Sequence, residues 1–185
     1  EKMGETPPSL KDLEKFVGPA LQETFPQMGV ADVDAALGFY RERYTDVGLF
    51  ENSVYDGVYK MMDDLIAQGF RLAMATAKPL VYARRITDHF DLAPRMAKQF
   101  GSELGGWLTN KKDLLAHALN ETGADPNASF MLGDRSHDAI GARQNGITPV
   151  GALWGFGSRS ELTEARCAAI CAAPADVPKI VENLK

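Results

Sequence analysis

The stretch that most restricts what this chain can fold into is Ser129-Phe130-Met131-Leu132-Gly133-Asp134-Arg135-Ser136-His137-Asp138. A short apolar run breaks at a glycine, delivers two acids four residues apart, and enters Ala139-Ile140-Gly141-Ala142-Arg143, which can be helical. That order reads as strand, tight turn, helix. In an open α/β sheet, ligands sit beyond the carboxyl ends of the strands, so Asp134 and Asp138 are expected at the rim where chemistry is done. Oxygen-only acids with no cysteine nearby suit a hard cation such as Mg²⁺. The bland alternative is that Asp134 ends a strand, Asp138 caps a helix, and nothing binds.

The same alternation runs through the chain from Asp56-Gly57 onward. A helix through Val58, Met61, Met62, Leu65 and Ile66 ends at Gly69, and residues 70–76 follow as a strand. Ala77-Lys78-Pro79 then turns into a helix through Tyr82, Ile86 and Phe90, with proline tolerated in its first turn. Helices are predicted at about 111–121, 137–145, 159–166 and 175–184, and strands at 129–133, 147–154 and 168–172. Strands separated by helical patterns imply one parallel sheet with right-handed crossovers, in which 70–76 and 129–133 are neighbours.

Residues 1–55 differ in character. Ser9 is read as an N-cap with Asp12 three residues on, and Leu10, Leu13, Phe16 and Val17 fall on one face. Gly18-Pro19 interrupts that helix, because proline removes a donor. A second helix is predicted from about Asp32 to Tyr44, with Leu37, Tyr40 and Tyr44 as its apolar stripe. Neither carries enough apolar area for an independent domain.

Composition narrows the function. Twenty basic against twenty-five acidic residues, with no basic run, argue against a nucleic-acid polymer as partner. Short apolar runs interrupted by charge exclude a membrane span, and the expectation is a cytoplasmic protein, monomer or homodimer. Cys167 and Cys171, the only cysteines, lack partners at zinc-ligand spacing and read as reduced packing thiols.

Three polar points fall at comparable strand ends: Thr76, the pair Lys111-Lys112, and Asp134 with Asp138. A hydroxyl, an ammonium and a metal-binding acid pair make a phosphate site. Each has a plainer explanation as well: Thr76 as the N-cap of the helix opened by Pro79, the lysines as solvated first-turn charges. Cations are disfavoured at a helix N-terminus, however, which favours a functional role for one of the two.

Met74-Ala75-Thr76-Ala77-Lys78-Pro79, Thr109-Asn110-Lys111 and Gly133-Asp134-Arg135-Ser136-His137-Asp138 resemble three successive motifs of the haloacid dehalogenase superfamily. More narrowly, the chain resembles the branch of phosphoglycolate phosphatases and 5′-nucleotidase-like proteins with a helical cap. Phe16-Val17-Gly18-Pro19, Tyr40-Arg41-Glu42-Arg43-Tyr44, Trp154-Gly155-Phe156-Gly157-Ser158 and Glu161-Leu162 fit that branch too. The resemblance implies a Rossmann-like parallel sheet with helices on both faces over 56–185 and a helical cap over 1–55. It implies a Mg²⁺-dependent phosphatase acting on a small phosphorylated metabolite through an aspartyl-phosphate. Thr76 would hold the phosphoryl group, Lys111 rather than Lys112 would neutralise it, and Asp134 would bind Mg²⁺ with Asp138 alongside. Lys78, Gly18 and Pro19 would face the leaving group.

The family's nucleophile segment, D-x-D-x-T after a first strand, is not found in this sequence. Asp32-Val33-Asp34 imitates its spacing but continues as Ala35-Ala36-Leu37 with no apolar strand before it. The expectation is therefore an incomplete copy of a longer protein that turns over nothing by itself, with a slot of unpaired backbone where a central strand belongs. Lys111, taken as an exposed cleft ammonium, is expected to matter little for folding. Two other readings are a catalytically inactive module that binds a phospholigand or a protein, and a metal-free dehalogenase.

Overall fold

The computed structural model describes residues 21–185 together with Met3, Gly4, Thr6, Pro8, Ser9 and Asp12. The chain divides into two compact units, Glu1–Ser53 and Val54–Lys185.

In the first unit the Ser9 hydroxyl accepts the Asp12 amide at 3.2 Å, as an N-cap side chain does, and donates to Asp12 Oδ2 at 2.6 Å. Leu10, Leu13, Phe16, Val17, Gly18 and Pro19 lie outside the described residues. A short helix not foreseen above, α1 (Leu21–Gln27), carries Pro26 near its end. Helix α2 (Val33–Asp46) begins at Asp32, whose Oδ1 accepts the Ala35 amide at 3.0 Å. Of its expected stripe only Leu37 is buried; Tyr40 and Tyr44 stack on each other at 5.1 Å, with Phe25 edge-on to Tyr40.

The second unit alternates helix and parallel strand. Helix α3 (Val58–Ala67) buries Met61, Met62 and Leu65, and Gly57 at its start and Gly69 after its end both adopt positive φ. Strand β1 (Ala73–Pro79) starts three residues later than expected. The cause is the way α3 ends: the Phe70 amide turns back to the Leu65 carbonyl, so Phe70 still belongs to the helix exit. Next come α4 (Leu80–His89), β2 (Lys98–Ser102), α5 (Lys111–Thr122), β3 (Phe130–Gly133) and α6 (Ser136–Gln144). The chain closes with β4 (Thr148–Ala152), α7 (Arg159–Glu164), β5 (Ala169–Cys171) and α8 (Val177–Asn183). Strand β2 was not legible in Lys-Gln-Phe-Gly-Ser, where one apolar residue gives no period to read.

The strands form two ladders among the described residues, β1-β2 and β3-β4-β5, both parallel. The expectation that 70–76 and 129–133 are neighbouring strands is therefore corrected: β1 and β3 each have a ladder partner on one side only. Burial follows. Central β4 is buried over Pro149–Ala152, whereas every residue of β3, and all of β1 from Met74 onward, is only half-buried. Side chains, not a strand ladder, join the two. Ala75 of β1 packs both against Phe100, Leu108 and Leu114 and against Leu115, Ala142 and Ile147, so α5 lies against both halves. A third cluster, Met61, Met62, Leu65, Val150, Cys171, Val177 and Val181, fastens α3 and α8 to the larger ladder.

Candidate active site

Lys111 is the first residue of α5, whose N-cap is Asn110; the Asn110 side chain accepts the Lys112 amide at 2.8 Å. The two lysines part there. Lys112 is exposed, while Lys111 is buried and runs inward past Gly141 of α6, where a Cβ would come within 2.8 Å of Lys111 Cγ. Its Nζ donates to the Ala75 carbonyl at 2.8 Å and pairs with Asp138 Oδ1 at 3.0 Å. A buried ammonium costs several kcal/mol in lost hydration unless such partners meet it. The exposed cleft ammonium expected from sequence is thus corrected to a buried ion pair, with both side chains 8% exposed.

Asp138 stands in the first turn of α6. Its Oδ2 accepts the Arg135 amide at 3.2 Å, and Gly133 makes room, because a Cβ there would press on the Asp138 side chain. His137 Nε2 lies 3.6 Å from Asp138 Oδ1. Capping and a charged role therefore coexist in Asp138. Asp134 leaves the end of β3, and its Oδ2 accepts the Phe156 amide at 2.8 Å. Any Cβ on Gly155 or Gly157 would collide with Asp134, which is why this loop needs glycine twice.

Thr76 is a strand residue and not a helix N-cap. β1 continues to Pro79, which takes the N-cap position of α4 itself, and Thr76 Oγ1 accepts the Lys78 amide at 3.2 Å. Burial pushes the Lys78 ammonium below its ordinary range. Thus Lys111 and Asp138 touch, Thr76 follows the carbonyl that Lys111 binds, and Asp134 joins them through the turn from Gly133. Gly18 and Pro19 lie outside the described residues.

Sequence reasoning gave no role to Phe156, Gly155, Gly157, Arg135 or Glu161. The Glu161 carboxylate accepts the Ser136 amide at 2.7 Å and Arg135 Nε at 3.0 Å. Burial opposes its ionisation, but the Ser136 amide and the Arg135 guanidinium outweigh that and hold it below the usual carboxylate range. The signal available was the glycine pair followed by an acid after β4.

The Haloacid dehalogenase-like hydrolase family model matches residues 1–152. A 5′-nucleotidase of Pseudomonas aeruginosa is 38% identical over 185 residues, covering 98% of this chain and 84% of the relative. The tyrosine-protein kinase PtkA of Mycobacterium tuberculosis is 36% identical over 170 residues, covering 91% of this chain but only 58% of the relative. Among solved structures, a predicted phosphatase from Clostridium acetobutylicum superposes with a TM-score of 0.90 at 34% identity, over 98% of this chain and 86% of that one. The chain belongs to the haloacid dehalogenase-like hydrolase family. Its fold and relatives place it among that family's phosphoric monoester hydrolases.

Proposed function

We propose that this chain carries the phosphoryl- and metal-binding residues of a Mg²⁺-dependent phosphatase acting on a small phosphomonoester of the nucleotide or phosphoglycolate kind. The observation that carries this reading is the buried Lys111, shared between Asp138 and the carbonyl beside Thr76. An ammonium so placed has a use when a dianionic phosphoryl group arrives next to it.

The donor set fits the metal. Asp134 and Asp138 offer oxygen only, and among the described residues no group of three His, Cys, Asp or Glu is gathered. Mg²⁺ is commonly held by one or two carboxylates, waters and the substrate's own phosphate, which is what two acids at a strand end can support. Bound there, Mg²⁺ would neutralise phosphoryl oxygens. The remaining work falls to the chain. The Thr76 hydroxyl holds a phosphoryl oxygen, Lys111 balances its charge, and Lys78 meets the leaving group. Residues 1–55 serve as the helical cap that selects the substrate. In the aspartyl-phosphate route an aspartate carboxylate takes the phosphoryl group as the ester P–O bond breaks and the alcohol departs, and water then releases phosphate; Asp32 is not that aspartate, since it is engaged in capping α2. The acid pair argues against the metal-free dehalogenase reading.

Among the described residues, no helix is long and apolar enough to cross a membrane. We place the protein in the cytoplasm as a monomer or homodimer.

The test is a panel of phosphate esters on the protein, with Mg²⁺ and with chelator. Nucleoside monophosphates, phosphoglycolate and, because one relative is named a tyrosine kinase, a phosphotyrosine peptide belong in it. Hydrolysis that needs Mg²⁺ and is lost in Asp134→Asn is expected. Hydrolysis indifferent to both would overturn the reading, and Mg²⁺-dependent binding without turnover would favour the inactive binding module.

A further inference from the structure

Helix α6 is poorly capped by its own sequence. Its N-cap residue is Arg135, which has no side-chain acceptor to offer the leading amides. A helix start leaves its first N–H groups without partners, and the chain normally places Ser, Thr, Asp or Asn there to take one. Here Asp138 takes the Arg135 amide locally, and the Ser136 amide is met from elsewhere, by Glu161 of α7.

Glu161 is well placed for this. Its own amide donates to the Ser158 hydroxyl at 3.1 Å, which fixes the start of α7. The same Oε1 that accepts the Ser136 amide also accepts Arg135 Nε, so one carboxylate oxygen ties both the backbone and the side chain of the turn. Its negative charge at the start of α6 agrees with the helix dipole. The surface pair Arg43–Glu51 has shorter bonds, 2.7 Å each, but leaves both side chains more than half exposed. Arg135 and Glu161 are 28% and 25% exposed. Together with the Phe156 amide on Asp134, the segment 155–161 therefore grips the turn at three successive residues, Asp134, Arg135 and Ser136.

We propose that Glu161 is the positioning residue of the metal-binding turn, capping α6 from outside so that Asp134 and Asp138 reach Mg²⁺ in one fixed arrangement. This rests on the Mg²⁺ reading above. Outer groups that orient ligands govern metal affinity strongly when removed.

The test uses the full chain and its Glu161→Ala, Glu161→Gln and Glu164→Ala variants. Glu164 lies on the same helix and accepts only the Ser160 hydroxyl, so its variant controls for damage to α7. Mg²⁺ affinity is read by calorimetry and by the Mg²⁺-dependent rise in melting temperature, and the Ser136 amide by hydrogen exchange. Glu161→Ala should bind Mg²⁺ roughly 10–100-fold more weakly and exchange Ser136 faster. Glu161→Gln, which keeps the acceptor and loses the charge, should fall between it and wild type, and Glu164→Ala should match wild type. In Glu161→Ala, raised Mg²⁺ should restore kcat, a rescue that general unfolding would not permit. Wild-type affinity in Glu161→Ala overturns the proposal, as does equal weakening in Glu164→Ala. A wild-type chain that ignores Mg²⁺ sinks the phosphatase reading instead. Ser136 exchange then judges the capping separately: faster exchange in Glu161→Ala upholds it, and unchanged exchange overturns it.

Discussion

The two ladders of the second unit carry opposite chemistry. β1 and the helix starts around it supply Thr76, Lys78 and Lys111, a hydroxyl and two ammonium groups. The β3-β4-β5 half, with α6 and α7, supplies Asp134, Asp138 and Glu161, all acids. No shared strand ladder joins them among the described residues; polar links between them include the buried Lys111–Asp138 pair and the Asn145 side-chain amide, which donates to the Lys112 carbonyl at 2.9 Å. The difference bears on the proposed function: one half offers groups that suit an anion and the other groups that suit a cation, and Lys111 and Asp138 balance each other where the halves touch.

Breaking that link should have the largest effect. Lys111→Met removes one partner of a buried ion pair and strands Asp138, which typically costs about 3–5 kcal/mol. A denaturant midpoint well below wild type with an unchanged slope would agree, and turnover should vanish. Adding Asp138→Leu should recover part of the stability but none of the activity, because it removes the stranded charge. If Lys111→Met is as stable as wild type, the two halves are not coupled as described.

Next comes the loop that holds Asp134. In Gly157→Ala the new methyl meets the Asp134 carbonyl, a backbone atom that cannot swing aside. A loss of about 1–3 kcal/mol is expected from overpacking, with weaker Mg²⁺ stabilisation because Asp134 itself shifts. Ala at the open position Gly105, where nothing lies within 4 Å of an added Cβ, provides the control. Equal melting temperatures and Mg²⁺ responses for the two variants would refute the steric account.

The sequence disclosed the acidic half better than the cationic one. Gly133-Asp134 announced a strand end because a continuous apolar run preceded it, and the β3-turn-α6 unit lies within a residue of expectation. β1 was displaced because the exit of α3 borrows Phe70, a tertiary detail with no mark in local composition. The choice of Lys111 over Lys112 came only through the family resemblance; the physical reason, a channel past Gly141, links residues thirty positions apart. Glu161 stayed hidden for the same reason, since its partners Arg135 and Ser136 lie twenty-six and twenty-five residues away.

The cationic half can be sharpened through Lys78. Burial lowers its affinity for a proton, so the folded state releases that proton at a lower pH than the unfolded chain does. Between the two values the unfolded chain binds more protons, and stability rises with pH across that window. Activity should move the other way if Lys78 meets the leaving group as proposed, since its ammonium is lost there. The alkaline limb of kcat/KM should therefore shift upward in Lys78→Arg, whose charge persists. A limb that does not move would remove Lys78 from the reaction.

The smallest effect tests how far the acidic half's field reaches. Cys167 and Cys171 are free thiols on that side. Burial pushes the Cys167 thiol above its ordinary range and the charge of Asp138 adds to it, while Cys171 is pushed up to about 11 by burial and then by Asp176. Only the thiolate reacts, so at mildly alkaline pH a thiol reagent should label Cys167 slowly and the fully buried Cys171 more slowly still. Asp138→Asn removes a cause that acts on Cys167 alone and should speed its labelling by about two- to threefold, leaving Cys171 unchanged. Acceleration of both thiols would mean that the substitution had loosened the unit. Acceleration of neither would mean that Lys111 already cancels the Asp138 charge at that range, making the separation of charge between the halves a property of the ion pair and its immediate neighbours.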